Sequence, residues 1–192
     1  MPLYPPAALV TPVDQFQLAT GETTLPRMLV TLSTNLVVAG NLVLTYFTAR
    51  RTEPITNAKT YSGTGAVATP TLCRFGVYSE AANGDITLVE ACANDTTLWA
   101  GANTGYSKAF SNSWVKTAGQ RYAFAVLVVS GSAGPSFYGT NVINSPTGSG
   151  IYGALPPRLC GQVTGQSDLP SSVVSASIVN TASPRPVHAE LT

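Results

Sequence analysis

The groups best suited to acid–base, nucleophilic or metal chemistry are few in this chain: one histidine, three cysteines and nine carboxylates in 192 residues. A Ser-His-Asp or Cys-His relay would have to use His188. That residue stands near the C-terminal Thr192, in a stretch (Val187–Leu191) whose alternation predicts a terminal strand instead. With no second histidine and no Cys-x-x-Cys pair, the ligand spacing of a zinc site is missing. Cys73, Cys92 and Cys160 are an odd set, read as small buried hydrophobes. A Cys73–Cys92 bridge across a hairpin stays open as the alternative. Glycoside hydrolysis needs two facing carboxylates. Glu80, Asp85 and Glu90 gather about one predicted hairpin, but turn and edge positions account for them equally well. Asp95, in Asn94-Asp95-Thr96-Thr97, has the pattern of an Asx turn. Calcium at Asp85 or Asp95 would lack the DxDxDG spacing. Gly63-Thr64-Gly65 and Gly148-Ser149-Gly150 are too short for phosphate loops, and neither opens a helix. The reading is of a protein that binds and assembles: no catalytic residue, no metal ligand and no cofactor is assigned.

The side chains left to carry a function are aromatic. Trp99, Tyr106, Phe110 and Trp114 cluster in one long loop region, of which residues 94–113 read as a loop holding a short strand near Ser107–Phe110. Rings on a sandwich's loops stack on sugars or anchor a protein interface. The alternative is that Trp114 caps the core and Trp99 covers a sheet edge.

The elements that must position these residues are strands. Charged residues make up 10% of the chain against about 25% in ordinary soluble domains, while hydrophobic residues reach 44%. Polarity comes from Thr, Ser, Asn and Gln, and the chain is hydrophobic enough to fold. The net charge of +1, with only Arg50-Arg51 adjacent among the bases, argues against nucleic acid as a partner. No run is long and apolar enough for a membrane helix, so no membrane insertion is expected. The opening residues lack a signal-peptide pattern, which predicts synthesis in a cytoplasm.

Residues 1–26 hold Pro2, Pro5, Pro6, Pro12 and Pro26 and read as an extended arm. Its apolar residues, among them Leu3, Tyr4, Leu9 and Phe16, predict docking on the chain's own domain or a neighbouring subunit. Residues 27–192 read as one all-β domain. Asn41–Arg50 places Leu42, Leu44 and Tyr46 on one face and Val43, Thr45 and Phe47 on the other. Ile55–Tyr61, Thr71–Tyr78, Asp85–Ala91, Ser172–Val179 and Val187–Leu191 are further strands, and Asn83-Gly84 predicts a type I′ hairpin turn. Arg121–Val129 is apolar on both faces and is expected at the centre of a sheet. Seven to nine short strands with long connections predict a single antiparallel β-sandwich of jelly-roll or Greek-key type.

Several strings together carry a resemblance. They are Leu44–Ala49 (LTYFTA), Arg51–Thr56 (RTEPIT), Ala68–Leu72, Arg74–Tyr78 (RFGVY), Ala81–Leu88 (AANGDITL), Asn94–Leu98 (NDTTL), Ala118–Tyr122 (AGQRY), Gly165–Pro170 (GQSDLP) and Ala189–Leu191. In these the chain resembles a β-sandwich domain that recurs in minor tail and virion proteins of tailed phages infecting actinobacteria. The resemblance implies a virion structural protein with a sandwich like that of sugar-binding modules. A minor tail or tail-tip component is the first reading, localised to the virion. Its partners would be other virion proteins and copies of itself, with host cell-envelope glycan as a further contact. A capsid decoration protein is the alternative, and a cell-wall polysaccharide hydrolase a more distant one.

Overall fold

The computed structural model describes residues 20–26, 30–131, 134–140, 158–179 and 186–192. They form twelve strands: β1 (Glu22–Thr23), β2 (Thr31–Leu36), β3 (Leu42–Thr48), β4 (Glu53–Tyr61), β5 (Pro70–Glu80), β6 (Ile86–Ala91), β7 (Gly105–Lys116), β8 (Arg121–Ser130), β9 (Ser136–Gly139), β10 (Cys160–Val163), β11 (Ser172–Val173) and β12 (Ala189–Leu191). One antiparallel sheet runs in the order β10-β3-β8-β5-β6-β11 and a second in the order β1-β12-β4-β7, while β2 pairs with β9. The fold is an all-β sandwich. Strand β8 returns to lie beside β5, and β6 meets β7 across the sandwich edge through Asn112 and Glu90. The path β5-β6-β7-β8 is therefore a Greek key wrapped around that edge.

Strand β8 lies between β3 and β5 and is buried on both faces from Tyr122 to Val128. Its alternate residues serve two cores. Tyr122, Phe124, Val126 and Val128 point between the sheets, where they meet Phe47 and Phe75 of the same sheet and Ile55, Phe110 and Trp114 of the other. Ala123, Ala125 and Leu127 point outward with Leu42, Leu44, Tyr46 and Tyr78. That outer face is covered by the segment 158–179 through Leu169, Val173 and Ile178, pinned where the Tyr78 hydroxyl donates to the Pro170 carbonyl at 2.9 Å. The cover lies close: a Cβ on Gly76 would stand 3.1 Å from Leu169 Cδ1.

Aromatic pairs hold the inter-sheet core. Phe75 meets Phe110 edge-on at 5.3 Å, and Trp114 lies 5.3 Å from Tyr122. Trp99 meets Phe137 edge-on at 4.9 Å and donates its indole N–H to Thr60 Oγ1 at 2.9 Å. The segment 94–113, expected as a loop with a short strand near Ser107–Phe110, instead enters the twelve-residue strand β7, which extends that strand to Gly105–Lys116. Its many Ser, Asn and Gly residues hide the strand, because an edge strand exposed on one face carries polar residues there.

Other boundaries also moved. Ser172–Val179 is not a continuous strand: after β11 it makes a 3₁₀ turn at Ser175–Ser177 and resumes only as a single bridge at Val179. The Asn83-Gly84 hairpin forms, but with positive φ at Gly84 alone (φ 83°) and Ala81 paired to Asp85. That is a three-residue loop with a bulge glycine, not the type I′ turn expected.

Both ends of the described chain enter one sheet. β12 pairs with β4, and β1 pairs with β12, so residues 20–26 of the segment read as an arm belong to the sandwich. The proposed docking residues Leu3, Tyr4, Leu9 and Phe16 lie outside the described residues. β1 is held by charge. Glu22, 3% exposed, binds Arg50 Nε at 2.6 Å and Lys116 Nζ at 3.1 Å. Lys116 is fully buried and also reaches Glu53 Oε1 at 2.9 Å and the Arg51 carbonyl at 3.1 Å. Burial, the largest single influence, works against the charge on Glu53, but the hydrogen bond and charge of Lys116, with the Arg51 charge and the Gly21 N–H, together outweigh it and hold the carboxyl below its usual pKa.

Candidate functional site

The aromatic residues predicted as an interaction surface do not form one. Trp99 is fully buried, Phe110 and Trp114 are 5% and 6% exposed, and Tyr106 packs half-buried against the same core. The physical reason is the length of β7. Its inward positions at Phe110 and Trp114 face the six-stranded sheet, and the rings fill the space between the layers. Tyr106 is tied down locally, its hydroxyl accepting the Gly101 N–H. The reading of Trp114 as a core cap describes the arrangement better than the stacking surface.

The open groove lies on the outer face of the four-stranded sheet. β4 and β12 pair with Lys59 opposite Glu190 and Thr60 opposite Ala189. Alternation sends Ala58, Thr60, Ala189 and Leu191 into the core, so Lys59, Tyr61, His188 and Glu190 share the opposite face. The far wall comes from Tyr138 of β9, Asn103 and Val30, enclosing about 660 Å³. β9 is brought there by bridges from Phe137 to Ser62 and from Gly139 to Val187, and by the His188 N–H donating to the Tyr138 carbonyl at 2.9 Å.

The groove side chains order one another. Tyr61 Oη donates to Glu190 Oε1 at 3.3 Å, and His188 Nε2 lies 3.7 Å from the same oxygen. The Tyr61 ring stacks on the His188 imidazole with centroids 6.0 Å apart, and Lys59 Nζ lies 5.0 Å from the centre of that ring. Across the groove, Tyr138 Oη donates to Asn103 Oδ1 at 3.3 Å. Asn103 holds a left-handed backbone (φ 51°), which asparagine tolerates better than most residues, and its N–H donates to the Gly63 carbonyl at 2.7 Å. The groove thus presents a carboxylate, an amide, an ammonium group and two phenols beside an apolar flank at Val30. Such a set recognises a polar, largely uncharged ligand by hydrogen bonds and ring contact. Of the described lining residues, Glu190 is the one carboxylate, whereas hydrolysis between two carboxyl groups takes a facing pair.

The remaining sequence candidates are placed as follows. His188 sits beside β12, as its alternation implied, but is 4% exposed under Tyr61 and Tyr138 at the floor of the groove. Glu80 is largely buried and paired with Arg121. Asp85 Oδ1 accepts the Ser175 N–H at 2.7 Å. Asp95 forms the Asx turn, accepting the Thr97 N–H at 3.0 Å, and pairs with Lys108 at 2.7 Å. Those two hydrogen-bond partners, Lys108 first, hold its carboxyl down to about 2. Among the described residues no group of three or more His, Cys, Asp or Glu side chains is placed to hold a metal ion. Cys73, Cys92 and Cys160 are free and buried, and burial raises the thiol pKa of Cys73 and Cys160 to about 12.

Sequence reasoning missed Lys59, Tyr61, Asn103, Tyr138 and Glu190. Alternation in Asn57–Tyr61 and in Val187–Leu191 puts each pair on one face, but nothing local says that β4 and β12 are neighbours. Comparison of the chain with known protein families and with curated proteins finds no match.

Proposed function

We propose that this chain is a structural subunit of a tailed-phage virion: a minor tail or tail-tip component. In this reading it assembles with its own copies and with other virion proteins through its N-terminal segment. It meets host-envelope glycan at the groove of Tyr61, Tyr138 and Glu190. The observation that carries the reading is where the resemblance falls on the sandwich. Leu44–Thr48 lies in β3, Arg51–Thr56 brings Arg51 and Glu53 to the charge cluster, and Arg74–Tyr78 lies in β5. Ala81–Leu88 makes the bulged hairpin and Ala118–Tyr122 the turn into β8. Gly165–Pro170 lies over the outer core, and Ala189–Leu191 is β12. The similar strings are therefore the ones that build the layers, which supports a shared structural role over a shared catalytic one.

The test is to label the protein in purified particles and locate it by electron microscopy. Label on the tail is expected. Label on the head replaces the reading with capsid decoration, and no label on the particle removes the virion role. Incubation with host cell-wall polysaccharide should yield a pulled-down complex and no released reducing sugar. Sugar release abolished by Glu190→Gln would make the groove a hydrolase site.

A further inference from the structure

Two features of the groove on β4, β12 and β9 narrow its ligand: its charge and its far wall. Lys59 and Glu190 are direct cross-strand partners with side chains on the same face, so an ammonium group and a carboxylate stand as neighbours. The two formal charges cancel at ligand distance, and the pair draws in neither anions nor cations.

The far wall is fixed before any ligand arrives. Asn103 stands in a turn that Ser62 ties to the end of β4, where Ser62 Oγ donates to the Gly101 carbonyl at 2.6 Å and accepts the Thr104 N–H at 3.0 Å. The Asn103 N–H is taken by the Gly63 carbonyl, and its Oδ1 accepts the Tyr138 hydroxyl at 3.3 Å. With Oδ1 engaged, the amide presents Nδ2, whose two protons no other described residue takes. Asn103 is exposed and therefore meets a ligand as a hydrogen-bond donor. Tyr138 and Val30 are half-buried and line the same groove, adding a ring and a branched apolar side chain. On the other wall Glu190 is an acceptor.

We infer that the sugar unit the groove selects is a 2-acetamido sugar, held by its N-acetyl group against Asn103, Tyr138 and Val30. The inference rests on the proposed glycan contact at this groove. An acetamido group is neutral and combines a carbonyl acceptor, an N–H donor and a methyl group. Asn103 Nδ2 matches the carbonyl, the Glu190 carboxylate the N–H, and Val30 with the Tyr138 ring the methyl. A hydroxyl in the same place leaves the apolar contact unused, and an ionised substituent gains nothing from the Lys59–Glu190 pair. The volume of about 660 Å³ leaves room for neighbouring sugar units. Because Asn103 and Tyr138 are already bonded to each other, little side-chain freedom is lost on binding.

Sugars matched except for acetamido in place of hydroxyl test it on the full chain: the β-linked N-acetylglucosamine trimer against cellotriose, and N-acetylgalactosamine against galactose. Titrations followed by protein amide NMR shifts give the dissociation constants. In at least one pair the acetamido sugar should bind at least about tenfold more tightly, through one hydrogen bond and one buried methyl group. Ligand-observed saturation transfer should be strongest at the acetyl methyl. Asn103→Asp keeps a residue that tolerates the left-handed backbone and removes the donor, so the preference should fall below about threefold. Should that variant fail to fold, saturation transfer on the wild type decides. Equal binding within both pairs, no binding of either acetamido sugar, saturation centred away from the acetyl methyl, or an unchanged preference in folded Asn103→Asp overturns the inference. Retention of host polysaccharide that is lost in Tyr138→Ala, with no acetamido preference, removes the inference and leaves the glycan contact standing. An acetamido preference that Asn103→Asp abolishes, with no retention of host polysaccharide, keeps the inference and removes the host-envelope contact.

Discussion

Lys116 is fully buried, and it touches two carboxylates and a carbonyl that belong to two separate stretches of chain, at Glu22 and at Arg51–Glu53. Removing one member of such a group leaves its partners charged in a poorly solvating place, which typically costs about 3–5 kcal/mol. Lys116→Met should therefore lower the unfolding free energy by about that amount and free β1, seen as faster amide exchange at Glu22 and Thr23. A change of under about 1 kcal/mol would mean that Arg50 and Arg51 suffice for the two carboxylates. Asp95 belongs to the same scale but acts through pH. Its folded pKa, about 2, lies below the ordinary 3.8, so its contribution is present above about pH 4 and lost as pH falls from there toward 2. Denaturant midpoints measured between pH 6 and pH 2 should fall in that window for the wild type and fall less for Lys108→Met. Parallel curves for the two proteins would remove the pair as a source of acid sensitivity.

Among the elements, β8 carries the most, because it is the strand on which both cores rest. Val126 is fully buried between Val43 of β3 and Phe75 of β5 in the sheet and faces the aromatic core. Val126→Asp puts an unpaired charge there, at a cost of several kcal/mol that approaches the whole stability of an ordinary domain. The variant should lack a cooperative thermal transition. A soluble, sharply melting product would mean that this position relaxes to water more readily than its burial implies. β8 was legible because its nine apolar-rich residues have no polar face for solvent. β7 was legible only near Ser107–Phe110, since Ser111, Asn112 and Ser113 read as loop while Trp114 carries its inner face beyond them. The same holds for Ser172–Val179, where alternation is real but Arg158 and Asp85 bond the backbone at Ser175 in a 3₁₀ turn.

On the scale of the molecule, β1 joins the N-terminal side of the chain to the edge of the four-stranded sheet beside β12. In the proposed function the segment before β1 is the part that docks on neighbouring subunits, and β1 fixes where it leaves the sandwich. Deleting residues 1–19 keeps Gly21, Glu22 and the charge cluster. The truncated protein should then melt within a few degrees of the full chain and fail to enter particles or oligomers. Melting temperature and incorporation are to be measured on the same preparation: normal assembly makes the segment passive, and unfolding makes it part of the core. The groove is tested at this scale as well. Tyr138→Ala should reduce retention on host cell-wall polysaccharide while leaving the melting temperature close to that of the wild type. Undiminished retention would place any glycan contact elsewhere.

What the sequence determines by itself is whatever depends on near neighbours in the chain. Two-residue alternation assigns Leu42, Leu44 and Tyr46 to one face of β3 and Phe47 to the other, the double-sided apolar run marks β8 as central, and Asn83-Gly84 marks a hairpin. The scarcity of histidine and paired carboxylates likewise limits the chemistry before any fold is known. Tertiary structure alone decided which strands are neighbours. It drew Trp99, Phe110 and Trp114 into the core, because the space between two sheets needs large rings, and β7 and the turn before it supply them from one edge. It joined Tyr61 to Glu190 across 129 positions of the chain, and Tyr46 to Arg158. The groove is made by pairing of distant strands, whose register is set by burial on the opposite face, and local sequence carries no record of that pairing.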